Sequence, residues 1–399
     1  MQSGQAGQAC ALLQPLLADR DADLELHFLV GQCLAATGHN DEAMAQFRLV
    51  LARQPNALRA RAELATLEAK GGDSNAARAD LQRVLSAGPP AAVRPGLEQQ
   101  LAHLGGSKEW TIQAAAGALF DSNVTAGPSV DQVTLFSLPF LVTDNARRQG
   151  DWAGLANLSL DYFHPEDAAM GIGAGIAVHT VTYASLNSFN LDSITAYVGP
   201  TLHVGHGIVS AGMVADYALL AGKSFSNDIG GLAQYLEPLR NDLVFSEQLR
   251  VRANEFYTAS DFSGSSGLST TSVQWFYEPG GAFVQPKILL GYDHGRANFH
   301  SDHQWGLSIG AFQPIGNGFS GYIEPGWRQS SYQALDPAFA SQRHDADYSL
   351  TANLGYDLTM IGFNSAQAVL GYTWTDDSSN QALYDYLRHQ IFLQISKSL

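Results

Sequence analysis

Residues 390–399 read Gln-Ile-Phe-Leu-Gln-Ile-Ser-Lys-Ser-Leu. Ile391, Leu393, Ile395 and Leu399 fall on one face of an extended chain, while Gln390, Gln394, Ser396 and Ser398 fall on the other. A strand with one apolar and one polar face suits a wall between lipid and water. The same alternation sets Leu350, Ala352, Leu354, Tyr356 and Leu358 against Ser349, Thr351, Asn353, Gly355 and Asp357. It also sets Ala156, Leu158, Leu160 and Tyr162 against Asn157, Ser159 and Asp161. A soluble β-sandwich shares this period, so strand number and turn asymmetry must separate the two.

Working back from Leu399, strands are expected near 385–399, 362–375, 344–358, 318–332, 302–314, 282–296, 268–278, 243–256, 230–238, 208–222, 191–204, 169–184, 151–163 and 110–120. Their number, about 14, is even, and the connections alternate between short turns and longer polar loops, as in an antiparallel transmembrane β-barrel. Short turns are read at 205–207, 278–281, 316–318 and 360–362, and longer loops at 258–267, 333–343 and 376–381. The longest connection, 121–150, is the first external loop, and its apolar stretch Leu135 to Val142 is expected to fold into the lumen. Tyr292, Trp305, Trp327, Tyr356, Tyr372 and Trp374 suit interfacial girdles. On the inner face the same phase places Asp161, Arg250, Arg252, Lys287, Glu324, Arg328 and Asp357, a mixture that suits a hydrated or plugged lumen.

Composition narrows the class further. With 45% apolar and 15% charged residues the 399-residue chain lies within ordinary globular limits, and no stretch approaches the roughly 18 apolar residues of a membrane-spanning helix. The formal charge of -16, without any Lys/Arg cluster, argues against a nucleic-acid partner. Cys10 and Cys33 read most simply as two small buried side chains in packed helices, with a disulfide as the alternative in an oxidising compartment. Met1 to Arg20 lacks the basic start and apolar core of a signal peptide. Because an outer-membrane barrel must be exported, a precursor starting further upstream, or a trimmed chain, is expected.

The first hundred residues follow a different rule. An offset of 34 pairs Gly31 with Ala65, Gly38 with Gly72, Ala43 with Ala77, Phe47 with Leu81, Val50 with Val84 and Pro55 with Pro89. A period of 34 is that of the tetratricopeptide repeat, a pair of antiparallel helices. Residues 1–105 are therefore expected to form a helical repeat domain and residues 110–399 the barrel, an α + β two-domain chain. Ala9, Leu13 and Leu16 read as the end of a preceding half-repeat, and residues 91–104 as a capping helix. By helical phase Glu25, Phe28, Gln32, Arg59, Ala62 and Thr66 line the concave face, where such arrays hold peptide segments. A solvated scaffold surface is the competing reading of the same six residues.

Tetratricopeptide repeats, then a Trp-led first strand and Asp121-Ser122-Asn123-Val124, together resemble the surface lipoprotein assembly modulator family of Gram-negative outer membranes. The end is similar as well: Arg343-His344-Asp345 before a strand, then Ser379-Asn380, Tyr384-Asp385-Tyr386 and Arg388 before the last one. The resemblance implies a fourteen-stranded outer-membrane barrel behind a periplasmic repeat domain. It further implies that the barrel assists delivery of lipoproteins to the cell surface, and that the repeats receive the client lipoprotein or a periplasmic chaperone. No cofactor and no enzymatic activity are expected.

Other chemistry is weaker. His294, His300, Asp302 and His303 form a dense polar cluster that reads more simply as a solvated loop than as a metal centre. His179, His203 and His206 lie on separate strands or turns. The glycines at 171, 173 and 175 lack the Lys and the following helix of a phosphate loop and suit close packing within a strand. Two rivals stand beside lipoprotein delivery: a polysaccharide-export porin, which also joins such repeats to a barrel, and an outer-membrane hydrolase, which needs a catalytic set at the rim.

Overall fold

The computed structural model describes residues 10, 12–18, 23–54, 57–71, 73–86, 96–97, 101, 109–165, 170–240, 242–277, 281–361, 363 and 365–398. The chain divides into two compact units, residues 1–106 and 107–399. Each is described by itself.

In the first unit, α1 (Leu24–Ala36) and α2 (Asn40–Arg53) are followed by α3 (Leu58–Lys70) and α4 (Ser74–Ser86). Both helices of the second pair begin 34 residues after their counterparts. Asp23 caps α1 by accepting from the amides of Glu25 and Leu26 at 3.1 and 3.2 Å, which satisfies donors that a helix start leaves free. Phe47, fully buried, fills the space between helices. It lies so close to Gly31 that a Cβ there would stand 2.7 Å from its ring, so the glycine is what lets α1 and α2 approach. Leu13 and Leu17 pack on this core, and Leu97 and Leu101 join Ala65, Leu81 and Val84. Most of the expected capping helix at 91–104, like Ala9, Pro55, Gly72 and Pro89, lies outside the described residues.

Cys10 and Cys33 form a disulfide, their Cα atoms 5.5 Å apart. This corrects the expectation of two free thiols. Both cysteines belong to one buried cluster with Leu26, Phe28 and Leu34, and packing of the preceding half-repeat against α1 brings them together across 23 residues.

In the second unit fourteen strands close into a barrel. They are β1 (Glu109–Asp121), β4 (Asp151–Pro165), β5 (Met170–Tyr183), β6 (Leu191–Val204), β7 (Gly207–Leu220), β8 (Lys223–Arg240) and β9 (Leu243–Phe256). Then follow β10 (Gly264–Phe276), β11 (Phe283–Gly295), β12 (Asp302–Gly316), β13 (Phe319–Tyr332), β14 (His344–Asp357), β15 (Ala366–Ser379) and β16 (Tyr386–Ser398). The short β2 (Gln132–Leu135) and β3 (Leu138–Leu141) form a separate hairpin in the first long loop. Each barrel strand pairs antiparallel with its neighbours in sequence, and β1 closes the ring on β16. Ile391, Leu393 and Ile395 are about half exposed, on the outer face of a band that also carries Leu158, Ile288, Leu307 and Leu370. Trp305 and Trp327 meet edge to face on the same surface, 4.6 Å apart.

Several boundaries differ from expectation. β8 starts at Lys223, directly after a two-residue turn at Ala221-Gly222 with φ of +50° and +74°. The segment expected to end one strand at 222 is therefore a hairpin turn, placed at the rim opposite the barrel's termini, where longer loops were expected. β10 starts at Gly264 rather than 268, because Gly264-Ser265-Ser266-Gly267, which reads as a loop, takes ladder partners on both β9 and β11. At the terminal rim the connection 358–365 holds a 3-10 turn, Leu358–Ile361, and is longer than a tight turn. The 278–280 turn residues, Gly362 and Leu399 lie outside the described residues.

Glu68 gives the helical unit a pH dependence. One carboxylate oxygen accepts from Arg48 at 3.2 Å and the other has no partner; burial holds its carboxyl above the ordinary value. A raised folded pKa means that stability is fully present below the unfolded value and is lost as pH rises through the folded one. Glu68→Gln is expected to remove that loss and to stabilise the helical unit at pH 7 by about 1 kcal/mol, read as a higher melting temperature at 222 nm. An unchanged or lower melting temperature would contradict it.

Candidate functional site

The inner face follows from register, since directly paired residues of antiparallel neighbours share a face. The row opposite Ile391, Leu393 and Ile395 holds Arg388, Gln390 and Gln394, and pairing carries this face round the barrel. Asp161, Arg250, Arg252, Lys287, Glu324, Arg328 and Asp357 all fall on it. Among these seven, the structure joins Lys287 to Glu324, at 2.8 and 3.0 Å, across the intervening β12. Ser308 and Tyr322 also donate to that Glu324 carboxylate.

The others meet residues that sequence reasoning missed. Arg250 donates to Asp216 at 2.6 Å, Arg252 to Asp228 at 3.3 Å and Arg328 to Asp347. Asp161 accepts from Tyr197 at 2.8 Å, and the Tyr197 ring lies against Gly175, where a side chain would collide with it. The glycine thus serves close packing, as the alternation suggested. Asp216, Asp228, Asp347 and Tyr197 sit at inward positions of their strands, so the same alternation signals them. Asp357 pairs with Gln367 near the terminal rim.

At the other rim, the far rim, the first and last strands are locked together. Asp121 is fully buried at the end of β1. It accepts from Arg388 Nε at 3.0 Å and from Arg388 Nη2, from Gln390 at 3.0 Å and from the amide of Asn123 at 2.9 Å. Ser122 exchanges backbone and hydroxyl bonds with His389, at 2.9 and 2.8 Å. Asn123, also fully buried, holds Gly127 through both ends of its amide at 2.9 Å and donates to the Leu387 carbonyl. Asp-Ser-Asn and Arg388 therefore form one network that ties the 122–150 loop to β16.

Neighbouring loops join it. The Ser129 amide donates to Asp385 and the Phe136 amide, at the tip of the β2–β3 hairpin, to Ala338. Arg343 pairs with Asp345 at 2.6 Å and lies over the rings of Tyr384 and Tyr332. Asn380 bonds the His344 amide and the Gln342 carbonyl, both at 2.8 Å. The 122–150, 333–343 and 380–385 connections are knitted into a single cap. The apolar stretch expected inside the lumen forms the β2–β3 hairpin, whose tip reaches the 333–343 loop.

The histidine cluster does not converge. Asp302 is on the inner face, His303 bonds Gln333, and the His300 ring stacks on Phe262 at 3.7 Å, where burial holds its imidazole below the ordinary value. In the helical unit, Phe28 departs from the expected groove lining. It is buried, 5.8 Å from the Phe47 ring, with the Arg59 guanidinium 4.8 Å above it. Ala62 packs on the Ala65, Leu81 and Val84 cluster, and the Thr66 hydroxyl donates to the Ala62 carbonyl within its own helix. Glu25 and Arg59 are exposed, and Gln32 donates to Glu63 at 3.0 Å. Glu63, one turn from Arg59, was not expected there.

A family model described as surface lipoprotein assembly modifier matches residues 110–399. Among solved structures, OccAB3 of Acinetobacter baumannii is similar at 9% identity, covering 73% of this chain and 98% of its own, with a TM-score of 0.40. A FadL homologue of Pseudomonas aeruginosa is similar at 9% identity over 78% and 95%, TM-score 0.39. The type III secretion translocator chaperone SycD of Yersinia enterocolitica is similar at 20% identity over 26% and 74%, TM-score 0.24. Among curated proteins none matches the chain.

Removing one partner from a buried ion pair leaves the other charge uncompensated, which costs about 3–5 kcal/mol. Asp121→Ala is expected to lower the barrel's unfolding free energy by that amount, read as a lower denaturant midpoint, and to open the 122–150 loop to protease. Arg388→Lys, which cannot make the forked contact, should fall between. Heat-dependent gel mobility and tryptophan fluorescence read the effect; a wild-type midpoint in Asp121→Ala would rule out the lock.

Proposed function

Since the chain belongs to the surface lipoprotein assembly modifier family, we propose that its barrel assists delivery of lipoproteins across the outer membrane to the cell surface. The observation that carries this reading is the family match over the whole barrel, joined to a closed fourteen-strand wall with a charged inner face. A polar inner face keeps water in the wall's interior, and a polar chain segment can shed its hydration there more cheaply than in hydrocarbon. The cap of loops at the far rim is the exit in this reading. The short turns then lie in the periplasm, and the chain's helical unit with them.

The repeats receive the client, or a chaperone that carries it. The exposed Glu25 and Arg59 and the half-buried Gln32–Glu63 pair of α1 and α3 support this role best, offering both charge signs and hydrogen bonds to an extended segment. Phe28 acts from beneath, as the ring on which Arg59 rests. A sugar-export porin is favoured less. Such a pore presents aromatic faces along its track, whereas Tyr197 lies against Gly175 and Tyr322 is bonded to Glu324.

The test is protease shaving of intact cells that express each candidate lipoprotein with and without this protein. One lipoprotein should become surface-cleavable only when the barrel is present. If the barrel is correctly inserted and every candidate stays protected, the delivery reading fails.

A further inference from the structure

Four pairs of aspartates stand directly opposite one another on the inner face. Asp121 and Asp151 are satisfied by Arg388 and by the amides of Ser185 and Leu186; the other three are Asp216 and Asp228, Asp293 and Asp302, Asp347 and Asp377. Like charges placed so are destabilising. Three guanidiniums answer these six carboxylates, Arg250 on Asp216, Arg252 on Asp228 and Arg328 on Asp347. Asp293 accepts from the Gln304 amide at 2.7 Å, which brings no charge. Asp302 and Asp377 are 4% and 9% exposed, and one carboxylate oxygen of each has no hydrogen-bond partner. Arg343, the next guanidinium at this rim, is taken by Asp345. The arc from β11 to β15 is thus acidic and short of donors.

We infer that this arc receives a cationic polypeptide segment, whose Lys or Arg side chains supply the missing donors to Asp302 and Asp377. Buried carboxylate oxygens without partners cost free energy that an arriving ammonium or guanidinium recovers. An extended chain fits better than a single ion: the two acceptors stand on β12 and β15, with β13 and β14 between them, and among the described residues no three carboxylate or imidazole groups converge on one point. The unbalanced charge also steers basic segments toward the lumen and repels acidic ones. The inference rests on the delivery reading in naming the cargo's chemistry, and it is tested apart from it.

The full chain, purified in a neutral detergent, is titrated into a fluorescein-labelled twelve-residue Lys/Arg-rich peptide and into an acidic peptide of equal length, with fluorescence anisotropy as readout. The basic peptide should bind at least tenfold more tightly at low salt and weaken as ionic strength rises. Asp302→Asn with Asp377→Asn keeps the shape and replaces two carboxyl groups by amides; it should weaken binding at least fivefold while heat-dependent gel mobility stays that of a folded barrel. Asp41→Asn with Glu42→Gln, the same replacement on exposed positions of α2, should leave binding unchanged. Equal binding of both peptides, or equal losses in the two double variants, overturns the inference. So does calcium or magnesium alone displacing the basic peptide at a stoichiometry of one, which would make the arc an inorganic cation site. Shaving of intact cells scores delivery separately, so either reading can fail while the other stands.

Discussion

Everything in the barrel depends on the closure of β1 on β16. A sheet in lipid cannot leave an edge, because each unpaired backbone group costs several kcal/mol where no water can reach it. Nine residues of β1, Gln113 to Asp121, find partners on β16. Hydrogen bonds along a ladder tolerate sliding, but a buried charge does not. Asp121 accepts only where Arg388 and Gln390 arrive at the same height, and a shift by one residue would turn Arg388 to the outer face. The pair therefore sets register at the seam, and through Asn123 it also sets where the first long loop leaves the wall.

Charge is sorted by face, and this explains how an acidic chain builds a membrane wall. Leu and Ile dominate the outer positions, while the ion pairs of Asp, Arg, Lys and Glu lie on the inner ones, where curvature brings side chains of next-nearest strands within reach. Lys287 meets Glu324 over Ser308, and Arg250 meets Asp216 over β8. Such cross-links stiffen a cylinder more than pairs on adjacent strands do, because each spans three strands. They also leave the acid excess concentrated toward the far rim, since Lys287 and Glu324 balance nearer the terminal one.

Strand number and facing were legible in the sequence because one face of every strand touches lipid, and that requirement writes a period of two. The charged inner residues were legible for the same reason. Their partners were not: whether Arg328 finds Asp347 depends on tilt and curvature, which no single strand encodes. The Cys10–Cys33 bond was hidden likewise, since only helix packing brings the two together. The 34-residue period located four helices but misjudged Phe28, because a helical wheel separates faces and cannot tell a shallow groove from a core one ring deep.

β10 shows where alternation fails and why the wall tolerates it. Its outward positions begin with Ser265, Gly267, Ser269 and Thr271, in which no lipid-facing pattern is visible, and only then reach Val273 and Trp275. Yet Ser269 and Thr271 both donate to Glu247 of β9, at 2.6 and 2.5 Å, which is itself on the outer face. Glu247 stands directly opposite Tyr235 and one outward step from Phe245, on the terminal-rim half of β9. Aromatic residues at that height mark the interface between acyl chains and headgroups, where a charged group on the outer wall costs less than at the midplane. Two hydroxyls on the neighbouring strand lower that cost again. Ser269 and Thr271 are thus the hydrogen-bonding half of an interfacial pair, and the polar stretch of β10's outer face is specified by the residue it meets on β9.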